Sequence, residues 1–183
     1  MKTRRIETKR GLEIRVHEAG KGAPLLFLHG AGGIFQENPF LDALAERYHV
    51  LAPEWPGYGE SKGEEQLEDM LDFTLHGWDV VDALGLERPH LVGHSMGGMI
   101  AAEMACIAPN DLAKLVLIGP AGLWLDEHPI PDLYSLFPVE LAPLLSHDPA
   151  VAMKLLVGEG GIDFDDFETL KAFLVLNARQ MGT

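Results

Sequence analysis

Gly93-His94-Ser95-Met96-Gly97 is the stretch best equipped for chemistry. A short apolar run, His90-Leu91-Val92, precedes it. Met99-Ile100-Ala101-Ala102-Glu103-Met104-Ala105, rich in helix formers, follows. The pattern predicts a strand, a sharp turn and a helix, with a serine at the apex, which is the form of a nucleophile elbow. The glycines have a steric reason. So tight a turn strains the residue at its tip, and Gly93 and Gly97 let strand and helix pass close together. The Ser95 hydroxyl then projects clear of both. The helix start behind it offers free N–H groups and a positive dipole end, which favour a developing negative charge.

Two other stretches agree with this one. Leu25-Leu26-Phe27-Leu28-His29-Gly30-Ala31-Gly32-Gly33 reads as a strand running into a glycine-rich loop. Val50-Leu51-Ala52-Pro53-Glu54-Trp55-Pro56-Gly57-Tyr58-Gly59-Glu60-Ser61 reads as a second strand ending in a loop. With these three motifs, in this order and spacing, the chain resembles the α/β-hydrolase superfamily in its serine-hydrolase branch of esterases, lipases and lactonases. Glu54 stands where that family usually has Asp.

The resemblance implies an α/β fold, a mostly parallel sheet flanked by helices, with a helical cap. Residues 1–119 correspond to a six-stranded core and 120–183 to the cap segment, so the chain matches the N-terminal portion of the fold and its C-terminal core strands are absent. Ser95 is implied as nucleophile, acting on a small apolar acyl or ester substrate. The N–H groups of Ala31 and Met96 are implied as the oxyanion hole, where one donor contributes roughly 3–4 kcal/mol in related chemistry. His29, Gly30, Gly32, Gly93, His94 and Gly97 support them. No cofactor and no metal are expected: Gly30-x-Gly32-Gly33 lacks both the dinucleotide spacing and a Walker lysine.

A serine hydroxyl needs a base, usually a histidine oriented by a carboxylate. In the family both follow later strands, and the sequence stops at Thr183 before them. Asp126 and His128, in Leu125-Asp126-Glu127-His128-Pro129, offer a substitute pair only if that loop folds back over Ser95. His147-Asp148 reads instead as a helix start. His29 is expected to brace the glycine loop and His94 to pack. His90 and His94 have a metal-like separation, but it spans a strand and a turn rather than a helix. The other reading is an assembly-dependent or non-catalytic protein. An open sheet edge at its last strand would pair with a second copy or another chain.

The elements that must position these residues follow from periodicity. Residues 4–8 and 12–18 read as a hairpin, the second arm alternating apolar and polar. Residues 25–28 and 114–118 read as strands covered on both faces, and 49–53 and 90–93 as further strands. Helices are expected from Phe40 to about Arg47, over 65–84, and from the elbow to about Ala108. In the long one, Leu67, Met70, Leu71, Thr74, Trp78 and Val81 form the apolar face. Strands alternating with helices mean a mainly parallel sheet. After Gly119, prolines punctuate short helical pieces. Trp124, Leu125, Leu133, Tyr134, Phe137, Leu141 and Leu144 are expected to roof the Ser95 pocket, and a last helix starts near Asp163 with Phe164, Phe167, Leu170 and Leu174 on one face.

Bulk properties narrow the rest. The 183 residues include 28 Asp and Glu against 14 Lys and Arg, a net charge of −14. Five bases and one acid fall in the first ten residues, so the remainder is more acidic than the whole. Such a surface repels phosphate backbones, which argues against nucleic acid. No apolar run reaches membrane-span length, and the basic start lacks the apolar stretch of a secretory signal. A single cysteine, Cys106, excludes an internal disulfide and reads as a small buried hydrophobe. The expected home is the cytoplasm.

Overall fold

The computed structural model describes residues 1–35, 37–131, 136 and 138–157. It divides into two compact units, one holding Met1–Gly122 and the other the described residues from Leu123 onward. The first unit is built on a six-stranded sheet: β1 (Lys2–Glu7), β2 (Glu13–Ala19), β3 (Pro24–Leu28), β4 (His49–Pro53), β5 (His90–His94) and β6 (Lys114–Ile118), in the spatial order β1-β2-β4-β3-β5-β6. The β1–β2 hairpin is antiparallel, with Ile6 opposite Ile14, and β2 is antiparallel to β4. The remaining pairings are parallel.

Alternation along the strands feeds two layers of core. Leu26, Leu28, Leu51 and Leu91 pack on one side, with Phe73 and Val80 of α2 (Met70–Ala83) and Ile100 and Met104 of α3 (Met96–Ile107). Leu25, Phe27, Val50 and Val92 pack on the other, around Leu41 of α1 (Pro39–Ala45). Helices therefore cover both faces, as a parallel sheet requires. The register matters most for function. Leu28 lies opposite Gly93, so the ends of β3 and β5 emerge side by side. The carboxyl ends of parallel strands are where such sheets place their sites.

Three expectations need correction. The helix expected over 65–84 starts only at Met70. Asp69 caps it, accepting from the Asp72 N–H at 3.0 Å, while residues 64–66 form a separate short 3-10 turn. Of the expected face, Leu67, Thr74 and Val81 are buried and Met70 and Trp78 pack against the core, but Leu71 is exposed, and Phe73, His76, Gly77 and Val80 are buried as well. The reason is Gly77: a Cβ there would lie 2.5 Å from Met104 Sδ, so this bare position lets α3 come close and turns that side inward. Second, β6 is not covered on both faces. Leu115 and Val116 are exposed, because no strand among the described residues lies beyond it. Third, Cys106 is exposed, on the outer side of α3.

In the second unit, α4 (Pro138–Leu145) packs on α5 (Pro149–Val157). Asp148 accepts from the Ala150 N–H at 3.0 Å, which starts α5 where the Ser-His-Asp-Pro spelling indicates. Leu133, Tyr134, Phe137, Phe164, Phe167, Leu170 and Leu174, and the helix expected near Asp163, lie outside the described residues. No described helix is long and apolar enough to cross a membrane.

Candidate active site

Ser95 occupies the junction between β5 and α3, at φ 52° and ψ −118°. An L-residue reaches that conformation only under strain. The surroundings supply the restraint. The Ser95 N–H donates to the Ile118 carbonyl at 3.0 Å. Its own carbonyl accepts from the N–H groups of Gly98, Met99 and Ala121 at 2.9, 3.1 and 3.0 Å. The close passage needs bare glycines: a Cβ on Gly93 would lie 2.3 Å from the Gly97 carbonyl oxygen, and one on Gly97 would lie 2.2 Å from that of Leu28. Ser95 itself is half-buried and Met96, the first residue of α3, is buried. As the first helical residue, Met96 has no carbonyl one turn back to receive its N–H.

The glycine loop lies against this apex. A Cβ on Gly30 would sit 3.0 Å from Ser95 Cβ and 3.0 Å from His94 Nδ1. His29, buried at the end of β3, holds the loop in place. Its Nδ1 is 2.7 Å from the Gly30 carbonyl, which can only accept, and its Nε2 receives the Trp55 N–H at 3.1 Å. Those two partners require the neutral Nδ1–H tautomer. Burial pushes the ring down to about 4, so it stays neutral at ordinary pH. The Gly30 carbonyl also accepts from the Gly33 N–H at 3.0 Å. Ala31 and Gly32 follow in the turn.

His94 differs from the packing role expected of it: the side chain is exposed and lines a cleft of about 260 Å³. The same cleft is bounded by His29, Gly30, Phe27, Phe35, Phe40 and Ile118. Phe27 and Phe40 meet with ring centroids 5.9 Å apart. This cleft, which His94 and Gly30 border beside the Ser95 turn, is small and mostly apolar, with His29, His94 and Asn38 as its polar side chains, a composition suited to an uncharged acyl group. Among the described residues no histidine is hydrogen-bonded to the Ser95 hydroxyl, and no group of three or more His, Cys, Asp or Glu side chains is set to hold a metal ion. Asp126 and His128 are both exposed in the second unit, and the Asp126 carboxylate accepts from the Trp124 indole at 2.9 Å.

Sequence reasoning missed one group beside this site. Glu54, nearly fully buried, accepts from Arg15 Nε at 2.9 Å, from the Glu60 N–H at 2.8 Å, and pairs with His17 Nε2 at 2.8 Å. A second Arg15 nitrogen completes a two-pronged grip. Burial works against its charge, but His17, Arg15 and the Glu60 amide overcome that and hold the carboxyl at about 2. The signal was present in Arg15 and His17, the polar positions of β2 on one face, but nothing in the spacing says which residue they meet.

Residues 23–145 match the family described as the alpha/beta hydrolase fold. A dihydrolipoyllysine-residue acetyltransferase component of an acetoin cleaving system from Cupriavidus necator is 38% identical over 117 residues, covering 61% of this chain and 30% of the relative. A 2-hydroxy-6-oxo-6-phenylhexa-2,4-dienoate hydrolase from Comamonas testosteroni is 38% identical over 121 residues, 60% of this chain and 41% of the relative. Among solved structures, a membrane phospholipase A described as a bacterial virulence factor superposes with a TM-score of 0.70 at 27% identity, covering 97% of this chain and 61% of that one. The chain thus spans less than half the length of these two sequence relatives.

Proposed function

The chain belongs to the alpha/beta hydrolase family, and from that premise we propose that it is a serine hydrolase of carboxylesterase or lactonase type acting on small apolar acyl compounds. Ser95 attacks the carbonyl carbon, and the N–H groups of Ala31 and Met96 receive the charge that develops on its oxygen. The observation that carries the reading is the strained Ser95 backbone, fixed by four hydrogen bonds, with Gly30 pressed against it. Strain held this firmly at one hydroxyl is characteristic of a working site. The apolar cleft alongside supports an uncharged acyl substrate. Two relatives are named as hydrolases of a dienoate and of a semialdehyde, which supports a hydrolase acting on a small organic compound.

The test is hydrolysis of p-nitrophenyl butyrate by the 183-residue protein. Turnover above the buffer rate, lost in Ser95→Ala, is expected. With no histidine among the described residues hydrogen-bonded to the serine, Ser95-dependent turnover should stay well below that of a complete triad. Equal rates for Ser95→Ala and the parent sink the reading.

A second reading is favoured by β6. Its exposed Leu115 and Val116 lie on the last strand of the sheet among the described residues, so we propose that a second copy pairs there. In that case catalysis depends on assembly, and light scattering should report a dimer.

A further inference from the structure

The acid that the functional reading leaves without a role is Glu54. Its carboxylate sits at the centre of the 54–61 loop. The Glu60 N–H closes on it at 2.8 Å, and a Cβ on Gly59 would fall 2.2 Å from its Oε2, so the loop can wrap it only because position 59 is glycine at φ +55°. Arg15 and His17 tie the same carboxylate to β2, and the Glu54 N–H donates to the Arg15 carbonyl at 2.9 Å. The Ser61 hydroxyl accepts from the Arg15 N–H at 2.9 Å and anchors the far end of the loop. The loop is therefore fixed at both ends and around its middle.

What it delivers is contact with the oxyanion loop. Trp55, the next residue along, places its N–H on His29 Nε2 at 3.1 Å. Tyr58 sets its ring edge-on to the His29 imidazole, with centroids 4.8 Å apart, and directs its hydroxyl to Met96 Sδ at 3.9 Å. His29, held in one tautomer by Trp55, donates through Nδ1 to the Gly30 carbonyl. In a trans peptide the carbonyl and the following N–H point in opposite directions. Whatever fixes the Gly30 carbonyl therefore fixes the direction of the Ala31 N–H.

We propose that Glu54 is a remote positioning residue for the oxyanion hole: it sets the 54–61 loop, the loop fixes the tautomer and plane of His29 through Trp55 and Tyr58, and His29 aims the Gly30–Ala31 peptide. The inference rests on the reading of Ser95, Ala31 and Met96 given above. It goes further in making a carboxylate on the far side of β4, which touches no substrate, an adjuster of charge stabilisation. A displaced donor raises the barrier without changing how substrate is held, so the effect belongs in kcat and not in KM.

Two measurements on the full chain test it. In Glu54→Gln, kcat for p-nitrophenyl butyrate should fall about tenfold to a hundredfold with KM nearly unchanged, short of the ~10²–10³ lost when a donor is removed outright. Glu54→Asp, which keeps the charge, should recover part of it. Nitrogen NMR of the His29 ring should show a single Nδ1–H tautomer in the parent and a mixture in Glu54→Gln. Arg15→Lys keeps the charge but loses the fork, and serves as the milder variant should Glu54→Gln fail to fold; it should show both changes in weaker form. An unchanged tautomer in these variants, or a kcat equal to that of the parent, overturns the proposal. If the parent shows no Ser95-dependent turnover, the functional reading fails by itself, and the NMR arm still decides whether Glu54 governs His29.

Discussion

Ser95 pays for its position in backbone energy, and the size of that cost is measurable. A non-glycine residue at φ 52°, ψ −118° stores of order 1–3 kcal/mol. Glycine has no Cβ and tolerates the region, but it loses more freedom on folding, by roughly 0.5–1 kcal/mol. Ser95→Gly should therefore be more stable than Ser95→Ala by about 1 kcal/mol, because only the former relieves the strain. Both should lack turnover. Thermal unfolding of the two variants side by side checks this, and an alanine variant as stable as the glycine variant would mean that the apex is relaxed. The elbow was legible in the sequence because its constraint is local: two glycines flanking a serine at fixed spacing say that chain must pass chain. The role of Glu54 was not legible. It depends on Arg15 and His17, 39 and 37 residues away along the chain, meeting it across the β2–β4 pairing.

At the scale of elements, the strands were readable and the helix faces less so. Residues 49–53 form β4 with those bounds, since the apolar Val50-Leu51-Ala52 between His49 and Pro53 leaves little choice. The α2 face was read except at one position: Thr74 and Val81 are buried and Met70 and Trp78 pack on the core, but Leu71 and Phe73 are both apolar and only the approach of Met104 to Gly77 decides which turns inward. The last strand, β6, carries the remaining element-level prediction. No strand among the described residues pairs with its outer side, and with its exposed Val116 that side is an edge of the kind that recruits another strand. A lysine on such an edge discourages pairing, since joining would bury its charge. Val116→Lys should therefore convert a dimeric protein to a monomer in light scattering, with little change in the circular dichroism of each chain. A monomeric parent, or a variant that stays dimeric, removes β6 as the interface.

Across the whole molecule, acid should be the weakness, for reasons that the ionisable groups make specific. His29 and His76 are both buried and both held near 4, against an ordinary 6.5. Burial is the main cause for each, and the positive charge of Arg10 adds to it at His76, with Asp79 opposing. Neither ring nitrogen of His76 has a hydrogen-bond partner among the described residues. Between pH 6.5 and 4 the unfolded chain takes up these protons and the folded chain does not. Stability is therefore fully present above about 6.5 and falls as pH drops toward 4, by about 3 kcal/mol per histidine. Glu54 acts later. Its folded carboxyl titrates near 2 against an ordinary 4.5, so its contribution is intact above 4.5 and is lost only as pH falls from there toward 2. Because two histidines can together remove about 6 kcal/mol, on the scale of a typical domain's whole stability of roughly 5–15 kcal/mol, unfolding should begin before Glu54 is reached. Urea unfolding at a series of pH values from 8 to 4.5 measures the slope. His76→Leu, which keeps an apolar group of similar bulk in the core, should remove about half of it while leaving the His29 share in place. A variant whose stability falls with pH as steeply as the parent's would show that His76 takes up its proton in the folded state as readily as in the unfolded one.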